Sequence, residues 1–333
     1  MTVHKWRFIG MLAITLCLLI SISLLGISAQ EKPMGKEALE AVLQFYQYDK
    51  DISLDARIVE EESWCTEELK NSGYPVKSRE KIVFNGGYGD RVPGYLALPQ
   101  TGSPPYPCVL QLHGLPARKL VWWEDESGCY GGLLTRELLS AGFAVLALDA
   151  QFHGERRRNN DYESPTVILF TQKLYNKFNL LIIESVTDYR RAIDYLETRS
   201  EIDIDRIGVI GYSLGGAMAY DLVVVEPRVK VAVDCVGPAF KSPDWSPSLA
   251  SWAPYNFAQA IDNIPFLMLR AKSDEFCSVE DAQELFELIE SPTKEIFFYD
   301  SGHMLPSEYI YKAAEWFKRH LKYQYKKTSP KME

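Results

Sequence analysis

A serine between two glycines, placed directly after an apolar segment, constrains the fold of this chain more than any other feature. The apolar segment is Arg206–Ile210, the turn is Gly211-Tyr212-Ser213-Leu214-Gly215, and a helical pattern follows over Gly216–Val223. Side chains at the two glycine positions of so tight a turn would collide with the neighbouring strand and helix. We therefore predict a buried strand, a strained turn at Ser213 and a helix that begins at once.

Apolar segments alternate with helical patterns from Cys108 onward, which is typical of a parallel sheet covered by helices. These segments are apolar throughout, as expected for strands that are buried on both faces. We predict an α/β fold, a three-layer α/β/α sandwich around a mostly parallel sheet. The predicted elements are strands 81–84 and 94–98 (an antiparallel pair), strand 109–112, a helix near 133–140, strand 143–148, a helix near 183–198 and the strand before Ser213.

The chain of 333 residues is long enough for one large domain of this class. We predict that the domain covers residues 79–325. An N-terminal extension over residues 30–78 precedes it and contains a short amphipathic helix, Lys36–Tyr48.

Two segments, near 155–180 and 238–263, interrupt the alternation and are predicted to be insertions over the carboxyl edge of the sheet. Their aromatic residues are Phe170, Tyr175, Phe178, Phe240, Trp245, Trp252, Tyr255 and Phe257. We expect these aromatics, with Trp122 and Trp123, to line a pocket for an apolar or aromatic group. The alternative is that they only pack the insertions onto the domain. Arg156–Arg158 either bind a carboxylate or form a solvated face.

Residues 1–29 have the pattern of a segment that lies outside the folded domain. His4, Lys5 and Arg7 precede the apolar stretch Phe8–Leu25, and small residues follow up to Ala29. This is the order found in a cleaved secretory signal peptide. The apolar stretch approaches the ~20 residues that span a membrane, so an uncleaved anchor with the domain outside the membrane is the alternative. We expect a secreted or periplasmic protein, with membrane association only through this segment.

The net charge of −9 makes nucleic acid an unsuitable partner, because affinity for nucleic acid rests on Lys and Arg contacts with phosphate. The basic stretch Lys318–Lys331 is interpreted as a solvated terminal helix. We expect a small-molecule partner, and the sequence carries no signal of an oligomeric state.

Five cysteines follow the leader, at positions 65, 108, 129, 235 and 277. Cys108 and Cys235 lie in apolar strand-like runs and are expected to be buried. Cys65 and Cys129 are the two that could pair in an oxidising compartment, although nothing in the sequence requires it. Because the sequence has no C-x-x-C motif and no His/Cys cluster, we expect no metal.

A serine hydroxyl is a poor nucleophile at neutral pH, so Ser213 needs a base. His303 follows the strand-like segment Glu295–Phe298 and is the best candidate among the five histidines. His4 lies in the leader and His320 in the basic terminal helix, which makes both unsuitable.

The acid that orients His303 is best assigned to Asp274, which follows the apolar run Ile264–Leu269. Glu275 and Asp300 are alternatives, since Glu275 is its neighbour and Asp300 lies shortly before the histidine. The serine, the acid and the base then each follow the carboxyl end of a strand, where open parallel sheets place their sites.

In this order and context the residues resemble the α/β-hydrolase fold family, nearest to its dienelactone-hydrolase-like, acyl-esterase and prolyl-oligopeptidase-like branches. The resemblance covers roughly residues 79–322. The segments that carry it are Leu112-His113-Gly114, Leu148–Gly154 and Ile202–Gly216. Dienelactone hydrolases proper use a cysteine nucleophile, whereas this chain has Ser213, so simple ester hydrolysis is favoured.

The resemblance implies that the backbone N–H groups of Leu115 and Leu214 hold the oxyanion, and it implies no cofactor. His113 and His153 are interpreted as structural, since each is followed by glycine near the sheet edge. We expect a carboxylesterase-type serine hydrolase that acts on a small-molecule ester. The alternatives are a small peptidase or amidase, a thioesterase, and a non-catalytic binding protein on the same fold.

Overall fold

A nine-stranded sheet runs through the described part of the protein, whose structure is a computed structural model. The structure describes residues 32–59, 65–240 and 247–322. Contacts divide the chain into two units, Met1–Pro33 and Met34–Glu333, and the sheet lies in the second. The predicted leader, residues 1–29, and Trp245 of the second insertion lie outside the described residues.

The sheet is antiparallel at its N-terminal edge and parallel elsewhere. Its strands are β1 (Arg57–Ile58), β2 (Val76–Asn85), β3 (Arg91–Pro99), β4 (Tyr106–Leu112), β5 (Ala144–Leu148), β6 (Ile202–Tyr212), β7 (Val229–Cys235), β8 (Phe266–Ala271) and β9 (Lys294–Tyr299). Their spatial order is β1-β2-β3-β5-β4-β6-β7-β8-β9. The pairs β1–β2, β2–β3 and β3–β5 are antiparallel, and every pair from β5–β4 to β8–β9 is parallel. The predicted α/β class and mostly parallel sheet are confirmed.

Helices connect the parallel strands and cover the sheet. The α-helices are α1 (Lys36–Leu43), α2 (Cys65–Asn71), α3 (Gly131–Ser140), α4 (Tyr175–Glu197), α5 (Leu214–Val225), α6 (Pro254–Phe257), α7 (Val279–Leu288) and α8 (Tyr309–Phe317). Short 3₁₀ or π turns lie at Gln44–Tyr46, Lys119–Trp123, Gly154–Asn160, Val167–Thr171, Pro247–Ser251, Ala258–Ala260 and Lys318–Lys322. Within the described residues, none of these helices has both the length and the apolar character needed to cross a membrane.

Successive residues of the central strands are buried on opposite faces of the sheet. In β4, Val109 packs in one hydrophobic cluster and Leu110 in the other, and in β6 the same holds for Ile210 and Val209. Because neighbouring strand residues point to opposite faces, a strand covered on both faces must be apolar at every position. This explains the unbroken apolar runs of the sequence.

The N-terminal extension contributes to the sheet. Arg57 pairs with Val83 across β1 and β2, and β2 itself begins at Val76, before the predicted domain start. The predicted helix Lys36–Tyr48 ends as an α-helix at Leu43 and continues only as a 3₁₀ turn.

The first insertion is shorter than predicted. Helix α4 begins at Tyr175, inside the segment 155–180, and buries Phe178 and Leu181. Those residues belong to a core helix of the sandwich, so the prediction of a helix beginning near Ile183 placed its start too late.

Candidate active site

The turn at Ser213 can form only because both flanking residues of the motif are glycines. A Cβ at Gly211 would overlap the carbonyl of Gly215, and a Cβ at Gly215 would overlap the carbonyl of Leu112. Ser213 has φ 55° and ψ −118°, a strained conformation that non-glycine residues rarely adopt. Its amide donates to the carbonyl of Cys235 at 2.8 Å, which fixes the turn against β7.

Ser213, His303 and Asp274 form a continuous chain of hydrogen bonds. His303 Nε2 lies 2.8 Å from Ser213 Oγ, and its Nδ1 lies 3.0 Å from both carboxyl oxygens of Asp274. A carboxylate accepts only, so Nδ1 carries a proton and Nε2 is left to accept the serine proton. The side chain of Asp274 is 2% exposed and that of His303 is 18% exposed. The imidazole is therefore partly exposed, whereas the carboxylate beside it is shielded from solvent.

The three side chains meet because three parallel strands end at one edge of the sheet. Ser213 follows β6, Asp274 follows β8 and His303 follows β9. The carboxyl ends of parallel strands lie at the same edge of a sheet. Residues that are far apart in the sequence therefore become neighbours at this edge.

The two other candidates for the acid lie away from the imidazole. The side chain of Asp300 is 87% exposed and pairs with Lys272 at 2.7 Å. Glu275 is exposed. Among the three acids considered, the structure brings only Asp274 to His303.

Tyr212 holds the loop of His303 and was not singled out in the sequence. Its hydroxyl donates to the carbonyl of His303 at 3.1 Å and accepts from the amide of Leu305 at 2.8 Å. On the acid side, Asp274 Oδ1 accepts from the amide of Phe276 at 2.9 Å. The only sequence signal for Tyr212 is its place directly before Ser213 in the serine motif.

The two predicted oxyanion donors are both at the serine. Leu115 and Leu214 line the same cavity as Ser213, and Leu214 is the first residue of α5. The positive end of a helix dipole therefore faces this position. A Cβ on Gly114 would lie 3.1 Å from Ser213 Cβ, so the glycine allows the loop after β4 to pack directly against Ser213.

Two small cavities meet at Ser213 and His303. The Met304 cavity, about 190 Å³, is lined by Leu115, Val121, Gly128, Cys129, Tyr212 and Met304. The Phe170 cavity, about 200 Å³, is lined by Leu115, Pro116, Thr166, Leu169, Phe170, Leu214, Pro238, Phe240 and Phe276. Neither cavity has a lining Lys, Arg, Asp or Glu among the described residues. Both are suited to small apolar groups.

The predicted aromatic wall is only partly correct. Phe170 and Phe240 line the Phe170 cavity, but Trp252 and Phe257 are buried in the core. Phe276, two residues after Asp274, also lines this cavity, although no sequence pattern marked it.

Trp122 and Trp123 do not line the pocket. Adjacent residues of the short helix Lys119–Trp123 point in different directions, so Val121 faces the Met304 cavity while Trp122 is fully buried in the core. Trp123 packs against Tyr74, with ring centroids 5.6 Å apart.

The first member of the arginine run is not part of a solvated face, and the carboxylate that it binds belongs to the protein itself. Arg156 is buried and its guanidinium lies 2.6 Å from the carboxylate of Asp188. Arg157 and Arg158 are exposed, as a solvated face requires. Arg156 therefore fixes the first insertion to α4.

The buried cysteines carry free thiols. Cys108, Cys129, Cys235 and Cys277 are free and buried, as expected for Cys108 and Cys235. Cys129, one of the two cysteines considered for pairing, is a free thiol in the wall of the Met304 cavity; the side chain of Cys65 lies outside the described part of the structure. Burial raises the pKa of the Cys129 thiol to about 11, so it is protonated at neutral pH. Within the described ranges no group of three His, Cys, Asp or Glu side chains is arranged to hold a metal ion.

Comparison with known proteins places the chain in a family. A model of the alpha/beta hydrolase family matches residues 109–317, more than half of the chain. The chain belongs to the alpha/beta hydrolase family.

Similar proteins agree with this assignment. The curated protein "Putative hydrolase YtaP" of Bacillus subtilis (strain 168) is 32% identical over 159 residues, which are 46% of this chain and 51% of that protein. The match thus spans about half the length of that relative. The solved acetyl xylan esterase from Paenibacillus sp. R4 has a TM-score of 0.62 at 19% identity, covering 87% of this chain and 97% of that one. A cold-adapted esterase from an Arctic intertidal metagenomic library has a TM-score of 0.59 at 20% identity, covering 74% and 95%. At these identities the solved structures share the fold with this protein.

Proposed function

We propose that this protein is a serine hydrolase that cleaves small carboxylic esters through an acyl-enzyme. The observation that carries the proposal is the hydrogen-bonded chain from Ser213 through His303 to Asp274, placed where two small apolar cavities meet. A nucleophile, its base and the group that orients the base are the minimal set for acyl transfer.

The reaction follows from the positions of the protons. His303 Nε2 takes the proton of Ser213 Oγ as the oxygen attacks the ester carbonyl, and later returns it to the leaving alcohol. Asp274 keeps the proton of the imidazole on Nδ1 and stabilises the imidazolium that forms. Water then enters in place of the alcohol, and His303 activates it to release the acid.

Negative charge on the carbonyl oxygen is stabilised by the amides of Leu115 and Leu214. Loss of one such donor lowers kcat by about 10²–10³-fold in enzymes of this mechanism. The dipole of α5 adds to the field at Leu214.

The lining of the cavities favours an ester over a peptide. A peptidase that recognises a free terminus needs a charged partner for it, and no Lys, Arg, Asp or Glu among the described residues lines either cavity. At about 190 and 200 Å³ the cavities are small for ligand pockets. They are sized for a short acyl group and a small alcohol. The resemblance of the fold to two esterases, one of them an acetyl xylan esterase, supports the same bond type.

The test is hydrolysis of a series of p-nitrophenyl esters, from acetyl to decanoyl, by the protein and by its Ser213→Ala variant. We expect the highest kcat/KM with short acyl chains and loss of turnover in the variant. Turnover that survives in Ser213→Ala excludes Ser213 as the nucleophile. Inactivity on every ester, with hydrolysis of aminoacyl amides or thioesters instead, replaces the ester assignment with one of those alternatives.

A matched pair of variants tests the role of the Phe170 cavity. Phe170→Ala removes a ring from its wall, so we expect the preferred acyl or alcohol chain to lengthen. Leu180→Ala is the control, because Leu180 is 53% exposed and does not line either cavity. An unchanged preference in Phe170→Ala would show that neither group of the substrate occupies this cavity.

We also propose that the protein is exported through residues 1–29. The basis is the order of basic, apolar and small residues in that segment. N-terminal sequencing of the protein from membrane and extracytoplasmic fractions tests it: a start at Gln30 means cleavage, and an intact N-terminus in the membrane means an anchor. An intact protein in the cytoplasm refutes export.

A further inference from the structure

A buried ion pair joins two neighbouring strands behind the Phe170 cavity. Arg270 of β8 is 1% exposed and Asp234 of β7 is fully buried. The guanidinium of Arg270 bonds Asp234 Oδ2. Neither residue lines one of the two cavities at Ser213, and a buried ion pair by itself adds little to stability, because both charges lose their water. The pair therefore calls for another explanation.

The ion pair holds Gly237 by both of its backbone groups. The Gly237 amide donates to Asp234 Oδ1 at 2.9 Å, and its carbonyl accepts from Arg270 Nη1. The hydroxyl of Tyr220 donates to Asp234 Oδ2 at 3.0 Å, which orients the carboxylate from the side of α5. The backbone directly after β7 is therefore fixed by side chains of two strands.

The segment that contains Gly237 has a strained backbone. Val236 has φ 47° and Phe240 has φ 45°, in a region that non-glycine residues seldom adopt and β-branched residues hardly at all. Such strain persists only where the surrounding structure determines the backbone, and it is concentrated at ligand sites. This segment carries Pro238 and Phe240, which both line the Phe170 cavity.

The same guanidinium contacts the segment on another side of the cavity. Arg270 Nη1 lies 4.0 Å from Cys277 Sγ, which is a weak acceptor. Cys277 directly follows Phe276, whose ring lines the Phe170 cavity and packs edge-on against His303 with ring centroids 4.8 Å apart. One buried side chain therefore contacts both segments, the one after β7 and the one after β8.

We propose that Arg270, held by Asp234, is a positioning residue that sets the width of the Phe170 cavity and thereby the chain length of the ester group accepted there. The inference rests on the proposed function, because it concerns the substrate of the same acyl transfer. Arg270 does not touch the substrate and acts through Gly237 and Cys277. The planar fork of a guanidinium suits this role, since its N–H groups point in fixed directions.

A matched set of double variants tests this role. Asp234→Asn with Arg270→Met removes the pair without leaving a buried charge unpaired, and it deprives the Gly237 carbonyl of its donor. The control is Glu226→Gln with Arg190→Met, at another buried ion pair. Arg190 Nε lies 3.4 Å from Glu226 Oε2, the side chains are 8% and 2% exposed, and neither residue lines a cavity at Ser213.

The measurement is kcat/KM for two series of esters, p-nitrophenyl esters of increasing acyl length and acetates of increasing alcohol length. In the Asp234/Arg270 variant we expect the ratio of hexanoyl to acetyl, or of hexyl to methyl, to rise about ten-fold. The change should lie in KM, because the pair acts on the wall of the cavity and not on the proton transfer by His303. The Glu226/Arg190 variant should keep the ratios of the parent.

Unchanged ratios in both series for the folded Asp234/Arg270 variant would overturn the inference, and so would an equal rise in the control variant. Ester hydrolysis by the parent leaves the proposed function intact in either case, whereas its absence in the parent refutes the proposed function instead. Thermal unfolding monitors the fold of each variant.

A milder substitution serves if the Asp234/Arg270 variant does not fold. Arg270→Lys keeps a positive charge beside Asp234 but presents one nitrogen in place of the fork, so it cannot hold both segments in the same geometry. The ratios should rise in this variant too. Unchanged ratios in the folded lysine variant would likewise overturn the inference.

Discussion

The backbone around Ser213 shows how a residue type can be dictated by the atoms next to it. Gly211 and Gly215 each lack room for a Cβ, because a carbonyl oxygen occupies that space. The glycines let β6, the loop after β4 and α5 approach closely enough to strain the serine and expose its hydroxyl. The motif is therefore a packing requirement before it is a catalytic one.

Gly215→Ala should be poorly tolerated for this reason. The added Cβ would overlap the carbonyl of Leu112, so we expect a loss of about 3 kcal/mol, at the upper end of overpacking costs, and a displaced serine. Denaturant unfolding and ester hydrolysis measure the two effects. Gly302→Ala is the control, since its Cβ would meet nothing closer than the carbonyl of Ser273 at 3.7 Å. Equal stability of the two variants would contradict the steric account.

The assignment of Asp274 as the acid that orients His303 can be tested by two isosteric substitutions in neighbouring loops. Asp274→Asn places an amide beside Nδ1 and favours the tautomer whose Nε2 cannot accept the serine proton. We therefore expect kcat to fall about 10³–10⁴-fold. Asp300→Asn, at an exposed side chain paired with Lys272, should keep nearly full activity. Should Asp300→Asn be the damaging change, the assignment of the acid is wrong.

These residue positions could be predicted because each carries a distinct chemistry and follows an apolar run. Ser213, Asp274 and His303 met that condition, and the structure brings them together. The roles of Leu115 and Leu214 as oxyanion donors, which the resemblance implied, stay predictions. The role of Tyr212 could not be predicted, because its hydroxyl bonds the backbone of a loop that is distant in sequence. Such contacts depend on the packing of loops, which sequence patterns do not encode.

At the scale of elements, the N-terminal extension packs on α5, the helix that follows Ser213, through a buried acid. Tyr46, at the end of the 3₁₀ turn that follows α1, bonds Asp221 of α5 at 3.0 Å and the carbonyl of Ser251 at 3.1 Å. The single hydroxyl proton of Tyr46 cannot form a full hydrogen bond with both acceptors. A protonated Asp221 resolves this, because it donates to Tyr46 while Tyr46 donates to Ser251. Burial raises the pKa of Asp221 well above its ordinary value, and the Tyr46 hydrogen bond only partly opposes that effect.

This buried acid predicts a pH dependence of stability. Below about pH 4 both folded and unfolded chains hold the proton. Above it the unfolded chain releases the proton while the folded chain retains it, so the free energy of unfolding falls by at most about 1.4 kcal/mol per pH unit. Asp221→Asn removes this titration. Its stability relative to the parent should therefore rise with pH between about 4 and 8 in denaturant unfolding. A constant difference would mean that Asp221 is ionised in the fold.

The strands were the most predictable elements, since burial on both faces requires apolar residues throughout. Helix α4 was placed too late because Tyr175 and Phe178 resemble pocket aromatics, although Phe178 packs in the core. Trp122 was misplaced for a related reason: position in sequence near the oxyanion loop does not say which way a residue points from a short 3₁₀ helix. Periodicity predicts elements well when they are long and poorly when they are irregular.

For the whole molecule, the sheet order converts three distant sequence positions into one site. Strands β6, β8 and β9 end at the same edge, and the insertions after β5 and β7 supply Phe170 and Phe240 above it. The parallel sheet thus positions the three side chains, and the insertions shape the cavity beside them. The alpha/beta hydrolase family assignment agrees with this division of roles.

The central claim is that Ser213 is the nucleophile of an acyl-transfer reaction. The most direct measurement is reaction of the full chain with a p-nitrophenyl phosphonate, followed by intact mass and peptide mapping. We predict one phosphonyl group per chain on the peptide that contains Ser213, with parallel loss of ester hydrolysis and no adduct in Ser213→Ala. A phosphonyl group on another residue, or full ester hydrolysis by a protein labelled at Ser213, would contradict the account.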